Sequence, residues 1–278
     1  MPHMAGDVAG SVLVRRSARK YLRLLGVFAS YQFIRDLQFR SSFLIRAVGN
    51  LGEFGFMIVF FSAISANDLA VPGWTLQQTL FLLGTYQMVN ALYLMFFSGI
   101  GHLSWMVERG DLDVLLTKPV DSQFVVSFQR INYDAVFGLM LAAVVIVSSW
   151  KEMGVPTPGW RWVPYAILVA VGALLKYAVG FLIMTLSLWV TRIEALYFLF
   201  LDFFVIGQYP ADIFRGAARM VFTLLIPVVV VANVPASVIL HGCTWTGAAT
   251  AIGVTAAFLV AGRALWKASL KRYSSASS

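Results

Sequence analysis

The chain has little of the chemistry that most enzymes use. Its 278 residues include one cysteine, Cys243, and three histidines that are far apart, His3, His102 and His241. One cysteine excludes an intrachain disulfide and a cysteine-based zinc cluster. The wide spacing of the histidines does not indicate a metal site or a catalytic dyad. We therefore predict that this chain binds no metal and no cofactor.

Motifs for nucleotide binding and hydrolysis are also missing. The sequence contains no G-x-x-x-x-G-K-[ST] phosphate-binding loop, no G-x-S-x-G and no H-E-x-x-H. We predict that the chain is not an enzyme. If its function uses ATP, a separate protein must bind and hydrolyse it.

Charged residues are scarce, whereas apolar residues are abundant. Charged residues make up 12% of the chain, hydrophobic residues make up 59%, and the mean hydropathy is +0.79. Soluble domains are only about 45–50% apolar. The apolar residues form runs of about twenty, which is the length that crosses a bilayer as a helix. The predicted fold class is an all-α integral membrane protein.

The charges that do occur are mostly positive, with a net charge of +8 and a pI of 9.8. Such a balance can indicate binding to nucleic acid or to anionic lipid. Here the Lys and Arg residues lie mainly at the ends of apolar runs, which favours anchoring at the cytoplasmic face of a membrane. We predict contact with membrane lipids and no nucleic-acid partner.

Six apolar runs are predicted to cross the membrane. They cover about 43–66, 79–101, 134–150, 162–190, 194–210 and 245–267. Residues 1–42 are predicted to form a cytoplasmic N-terminal part whose amphipathic helix, over 16–31, lies in the headgroup layer. An ordinary solvated helix is the alternative. Residues 43–278 are predicted to form one six-span domain.

Residues 219–240 form a further apolar segment, which Pro227 and Pro235 interrupt. Helix broken by proline at membrane depth needs cover from surrounding protein. If this segment crossed, the basic C-terminus would lie outside, against the positive-inside rule. If it dips in and returns, sixteen Lys and Arg residues lie inside and four outside, with Lys176 within a span. We therefore predict a re-entrant helical hairpin before the last span and two cytoplasmic termini.

Polar residues within the spans have both structural and functional interpretations. Arg46, Asn50 and Glu53 share one stripe of the first span, and they either brace that helix or serve transport. Lys176 either extends to an interface or pairs across helices. Asp202 could line a path, pair with a basic residue or lie near an interface.

Several side chains of the second and fifth spans are candidates for lining a transport pathway. Helix packing is the alternative explanation for each aromatic residue among them. The candidates are Tyr86, Asn90, Tyr93, Phe97, Phe200, Asp202 and Phe203.

The stretch VERGDLDVLLTKPVDSQ, residues 107–123, places six charged residues between two apolar runs. Gly110 is predicted to end one helix, Asp111 to cap a short second helix, and Pro119 to end it. The short helix would have an apolar face made of Leu112, Leu115 and Leu116. That face either folds back on the bundle or the headgroups, or docks into a groove on a separate cytoplasmic protein.

Two motifs resemble those of ABC-2 type transporter permeases, in particular the bacterial branch labelled as uncharacterised ABC-2 permeases. ERGDLDVLLTKPVDSQFVVSFQRI is similar to the family's glycine–acidic–leucine, leucine–leucine and proline–valine signature. QYPADIFRG followed by IPVVVVANVPASVIL is similar to its second hallmark, a Tyr-Pro, an Ile-Pro and a Pro-Ala in that order. Together with the N-terminal amphipathic helix, the similarity covers nearly the whole chain.

This resemblance implies the membrane subunit of an ATP-driven exporter with a type V exporter-like fold. Two permease chains, identical or related, would work with two copies of a separate ATPase that binds ATP and Mg, in the bacterial inner membrane. An elbow helix would cover 16–31, a coupling helix about 108–119, and re-entrant helices 211–240. The implied coupling residues are Glu108, Arg109, Gly110, Asp111, Leu112, Leu115, Leu116 and Pro119. The implied closure residues are Tyr209, Pro210, Pro227 and Pro235.

Two other functions are compatible with the sequence. One is a non-transporting membrane scaffold or sensor of the same fold, and the other is a secondary transporter driven by a gradient. Substrate-stimulated ATP hydrolysis would distinguish an ATP-driven exporter from both. The aromatic residues of the spans favour an amphipathic substrate over a simple ion.

Overall fold

A computed structural model describes residues 4–38, 40–66, 71–190, 193–225, 227–242 and 244–273. Within these ranges every regular element is a helix, which confirms the predicted all-α fold. The α-helices are α1 (Met4–Gln38), α2 (Arg40–Ala66), α3 (Leu76–Phe97), α4 (Leu103–Glu108), α5 (Asp111–Leu116), α6 (Ser122–Phe128), α7 (Ala135–Met153), α8 (Trp162–Thr185), α9 (Glu194–Val205), α10 (Ala217–Met220), α11 (Val228–Leu240) and α12 (Trp245–Arg272). Short 3₁₀ turns extend α3, α8 and α9, and a π-helical turn, Val221–Leu225, follows α10.

Five helical segments of the described chain are long and apolar enough to cross a membrane. They are Phe43–Ala66, Leu76–Glu108, Ala135–Met153, Gly159–Leu188 and Trp245–Arg272. Each overlaps one predicted span, and the chain is therefore a multi-pass membrane protein. The second segment is longer than predicted, because helical turns continue beyond Phe97 as far as Glu108, at the start of the charged stretch.

The fifth predicted span is shorter than the others. Helix α9 has 12 residues and continues for three more in the turn Ile206–Gln208. This gives a rise of about 24 Å, less than the roughly 30 Å of a hydrocarbon core. Tyr209 adopts an extended conformation, as expected for a residue that precedes proline. The count of six crossings therefore remains a prediction.

Helix α11 lies in the centre of the bundle, against α3 and α8. Its first five residues, 228–232, are almost fully buried. Pro227 precedes it and Pro235 lies inside it, where the loss of one backbone donor is tolerated in a packed helix. It begins beside Gly207 and ends beside Trp74, whose ring centroid is 6.3 Å from that of His241.

Two glycines allow this close packing of α11. A Cβ atom on Gly172 of α8 would lie 2.5 Å from the carbonyl oxygen of Val231. A Cβ atom on Gly207 would lie 2.7 Å from the carbonyl oxygen of Val228. Both obstacles are backbone atoms, so neither clash can be relieved by rotating a side chain.

Replacement of Gly172 by alanine is therefore expected to destabilise the bundle. Overpacking of this kind costs about 1–3 kcal/mol, and the melting temperature of the purified protein should fall by several degrees. Gly49→Ala in α2 is a matched control, because no described atom beyond the backbone of its own helix lies within 4 Å of that Cβ position. Equal melting temperatures for the two variants would contradict the close approach of α8 and α11.

Helix α1 extends well beyond the predicted 16–31 and packs on the segment that connects α5 to α7. The Tyr21 ring lies 4.6 Å from that of Phe124, and the backbone N–H of Asp121 donates to the Tyr21 hydroxyl at 3.2 Å. Much of the predicted apolar face therefore rests on protein instead of lipid. Tyr31, further along the same helix, is 65% exposed. The end of the bundle that carries this helix is called the α1 end below.

Arg46 braces α2 against its neighbours, as the structural interpretation of its stripe predicted. Its guanidinium pairs with Asp36 of α1 at 3.4 Å and with Asp134, just before α7, at 3.5 Å. Asn50 and Glu53, in the same stripe, instead line a small cavity between α2, α3 and α7.

Candidate functional site

The charged stretch forms a compact turn at the α1 end, between α4 and α7. Gly110 has a φ of 75°, a left-handed conformation that glycine adopts without strain, and this breaks the helix between Glu108 and Asp111. The N-cap of α5 is Gly110, so the predicted capping role of Asp111 is wrong. Asp111 is instead the first residue of α5, where a carboxylate still favours the positive end of the helix dipole.

The leucine face of α5 is turned towards the bundle. Leu112 is 0% exposed and Leu115 is 5% exposed, and both belong to the main hydrophobic core. The expectation that these two leucines contact a separate protein is therefore wrong, because the core of this chain already covers them. Val114 and Leu116, at 62% and 38% exposure, form the outward apolar surface. The other exposed coupling candidates are Glu108, Arg109, Asp111 and Pro119.

The far side of this turn is fixed to the last helix by a two-point ion pair. Arg263 of α12 donates to both carboxylate oxygens of Asp121, at 2.5 and 3.1 Å, and to Gln123 Oε1 at 2.8 Å. Trp266 Nε1 donates to Ser122 Oγ at 3.3 Å. Motif reasoning missed Asp121 and Arg263 as a pair, because 142 positions separate them.

The electrostatics of Asp121 depend on this contact. Burial alone would raise the pKa of its carboxyl group, but hydrogen bonds from Arg263 and from the Phe124 backbone N–H lower the pKa by more. Since the folded-state pKa lies below the ordinary value, the ion pair contributes at neutral pH. That contribution is lost as the pH falls through the folded-state pKa.

We expect Arg263→Gln to loosen the turn without unfolding the protein. The pair is partly exposed, so its effect on melting temperature should be small, whereas limited proteolysis within 109–121 should become several times faster. The variant keeps the Asp121 carboxylate, which still caps α6 through the Phe124 backbone N–H. Lys267→Gln, on the same helix, controls for the loss of positive charge. Unchanged cleavage in Arg263→Gln would show that the pair does not hold the turn.

A second candidate site surrounds a buried cation within the spans. Lys176 of α8 is 2% exposed, and its Nζ donates to Asn90 Oδ1 of α3 at 2.6 Å. The ammonium also lies over three aromatic rings, at 5.0 Å from Tyr93 and 5.8 Å from both Tyr86 and Phe204. Among the described residues, no carboxylate lies within ion-pair distance of Lys176. Of the two predicted roles of Lys176, the structure favours contact across helices, through a hydrogen bond to Asn90 instead of an ion pair.

Aromatic contacts extend this cluster to α9. The Tyr93 and Tyr197 hydroxyls are 2.5 Å apart, and the Phe200 ring lies 4.6 Å from that of Phe204. Four of the predicted pathway residues, Tyr86, Asn90, Tyr93 and Phe200, are thus brought together around Lys176. A cavity of about 60 Å³ adjoins Asn90, and Glu53 shares its wall.

The remaining pathway candidates lie elsewhere. Phe97 stacks on Tyr177 with ring centroids 4.6 Å apart, nearer the α1 end. Asp202 is exposed on α9, and Phe203 is half-buried. The seven candidates therefore do not form one continuous surface within this chain. Whether any of them contacts a substrate remains a prediction.

At the end of the bundle opposite the α1 end, Asn233 of α11 forms hydrogen bonds with the backbone of a neighbouring turn. Its Nδ2 donates to the carbonyl oxygens of Gly207 and Tyr209, and its Oδ1 accepts from the Ala211 N–H at 2.8 Å. One side chain thus satisfies the backbone of the Tyr209–Pro210 turn. The feature of the sequence that could have indicated this role is the position of Asn233 within an apolar run, between Pro227 and Pro235.

The predicted closure residues lie at or near this turn. Pro210, Pro227 and Pro235 are buried, and the Tyr209 ring lies 5.4 Å from that of Phe61. Trp74 Nε1 donates to Asp212 at 2.9 Å across the same end. Between α11 and α12 the end opens into a cavity of about 400 Å³. The assigned role in closing a pathway remains a prediction.

Comparison with known protein families is consistent with this arrangement. The family described as ABC-2 family transporter protein matches residues 51–277. The match contains most of α2 and all later helices. It therefore includes the turn formed by the charged stretch, the residues around Lys176, and the Tyr209–Pro210 turn that Asn233 binds. No curated protein and no solved structure matches the chain.

Proposed function

The chain belongs to the ABC-2 family of transporter proteins, and from this premise we propose that it is the permease subunit of an ATP-driven exporter. The observation that carries this proposal is the turn at residues 109–121. It exposes Val114 and Leu116 at the tip of two long helices, while Leu112 and Leu115 anchor it in the core. A rigid, outward apolar patch at this position suits docking to a separate protein.

The proposed partner is an ATPase that binds ATP and Mg, since this family transports substrates and this chain has no P-loop motif. Its docking would use the exposed residues of the turn, with Glu108, Arg109 and Asp111 on the rim and Val114 and Leu116 at the centre. Closure of two ATPase subunits would push two such turns together. The core contacts of Leu112 and the Asp121–Arg263 pair would pass this movement to α3, α7 and α12.

The proposed assembly contains a second permease chain, identical or related, beside α9. Asp202 is exposed on that helix, on the same face as Phe198 and Leu199, which are 61% and 50% exposed. A carboxylate facing lipid within a span costs about 2.5–3.5 kcal/mol, so such a face favours contact with protein or with a water-filled path. A substrate pathway between two permease chains would supply both.

The proposed orientation places the α1 end in the cytoplasm of a bacterial inner membrane. The Lys and Arg residues before Ala47 and at the end of α12 then lie inside, in agreement with the positive-inside rule. Residues 211–240 would close the pathway at the outer face.

Purification from native membranes, followed by reconstitution, tests the proposal. The tagged permease should retain an ATPase of the Walker type, and the reconstituted complex should show ATP hydrolysis that substrate accelerates and flux that requires ATP. Stable assembly without ATP turnover would instead support a scaffold. Flux that follows a gradient without ATP would support a secondary transporter. Either result would overturn the exporter proposal.

A further inference from the structure

Three elements meet in a layer at the α1 end of the bundle. The Gln32 side chain of α1 donates to the carbonyl oxygen of Gln129 at 3.3 Å. The Tyr133 hydroxyl donates to the carbonyl oxygen of Ala29, also on α1, at 2.9 Å. Asn132 Nδ2 donates to Ser98 Oγ at 2.9 Å. These bonds join α1, the turn after α3 and the connector before α7.

The junction brings basic side chains together. Arg130 Nη1 lies 2.7 Å from His102 Nε2. Because arginine can only donate, Nε2 is the acceptor, and the neutral imidazole carries its hydrogen on Nδ1. That nitrogen is buried and has no hydrogen-bond partner among the described residues. The pair therefore offers donors and no acceptor.

Arg35 of α1 adds a second positive charge. Burial lowers the pKa of Arg130, and the nearby charge of Arg35 lowers it further, whereas Tyr31 has the opposite effect. The neighbouring carboxylates Asp36 and Asp134 are both engaged by Arg46. Among the described residues, neither Arg35 nor Arg130 forms an ion pair with a carboxylate, an arrangement that an anion would stabilise.

We propose that Tyr31, Arg35, His102 and Arg130 form a binding site for a phosphate group, and that the phosphate belongs to a membrane phospholipid. The lipid source follows from the setting of the cluster. Val27, Ile34 and Leu37 of α1 are 57%, 56% and 49% exposed, as expected for a helix that contacts the acyl boundary. Lipid phosphates then lie at the level of the two arginines, and the site tethers α1 to the bilayer surface.

Native mass spectrometry of the full chain tests this site, with phosphatidylglycerol as the lipid probe. Arg35→Gln with Arg130→Gln should weaken phosphatidylglycerol binding by about tenfold or more, because each guanidinium would donate charge-assisted hydrogen bonds to the phosphate. Arg23→Gln with Lys20→Gln removes two positive charges from α1 away from the cluster, and should change binding less than threefold. Arg130→Lys together with native Arg35 should recover part of the affinity.

The two phosphate sources are separated by competition. Inorganic phosphate at millimolar concentration should leave phosphatidylglycerol bound, because the acyl chains also contribute. Displacement of the lipid by inorganic phosphate would overturn the lipid assignment and identify a soluble phosphate site. Equal binding by the wild type and the double arginine variant, when both are monodisperse with similar melting temperatures, would overturn the site itself. So would an equal loss in the Lys20 and Arg23 control.

Discussion

Replacing Asn90 by leucine is expected to destabilise the protein severely, because the substitution leaves the buried Lys176 ammonium without its hydrogen-bond acceptor. Leaving a buried hydrogen-bond donor without its acceptor costs about 1–3 kcal/mol, and more when the donor is charged. For a chain of this size the melting temperature should fall by roughly 4–10 °C. Thermal unfolding of the purified protein in one detergent, followed by intrinsic fluorescence, measures the change.

The second half of this prediction concerns Lys176 itself. Lys176→Met keeps a long side chain among Tyr86, Tyr93 and Phe204 but removes the charge, so its stability cost should be about 1 kcal/mol or less. In the double variant with Asn90→Leu, most of the loss caused by Asn90→Leu should be recovered. Recovery of this kind isolates the energy of the contact from the energy of each side chain.

Asn50→Leu is the matched control for Asn90→Leu. Asn50 lines the same small cavity, but it makes no hydrogen bond to Lys176. Its replacement should lower the melting temperature far less. If Asn90→Leu melts within about 2 °C of the wild type, the contact contributes little and the ammonium is stabilised by other means. If the two single effects simply add in the double variant, the two residues are not coupled.

The span positions could be predicted from the sequence because the bilayer imposes a length on each apolar run. The first predicted span, 43–66, agrees with Phe43–Ala66 for this reason. The bounds of 194–210 also agree with the structure, but the helical residues Glu194–Gln208 are fewer than a bilayer crossing needs. There, the end of the helix depends on Asn233, which binds the Tyr209–Pro210 turn from a distant part of the chain.

The hydrophobic pattern of the short helix α5 could not predict which neighbour its apolar face contacts. The spacing of Leu112, Leu115 and Leu116 indicates one apolar face, but not what covers it. In the structure the three leucines do not share one environment. Leu112 and Leu115 are buried in the core, whereas Leu116 is exposed on the outward side with Val114. Lys176 presented the same difficulty, since its acceptor Asn90 lies 86 positions earlier in the chain.

The second large prediction concerns Val114 and Leu116, the exposed apolar residues of α5. Val114→Asp with Leu116→Asp should abolish retention of the partner ATPase, because two carboxylates would be buried in an apolar contact. Loss of two central interface residues typically costs about 2 kcal/mol each or more, which corresponds to a drop in affinity of roughly 1,000-fold. Co-purification and ATP-dependent flux in proteoliposomes measure the result, and both should fall together.

The fold of the permease should survive this change, because neither residue belongs to the core. Leu112→Asp is the contrasting variant, since it places a carboxylate at a fully buried position and should prevent folding. Val155→Asp, at a 39% exposed position at the opposite end, controls for an added surface charge and should retain the ATPase. Full retention by the Val114 and Leu116 double variant would place the docking surface elsewhere. Loss of retention with an unchanged melting temperature would locate the contact on the outward side of α5, where the buried leucines hold it in position.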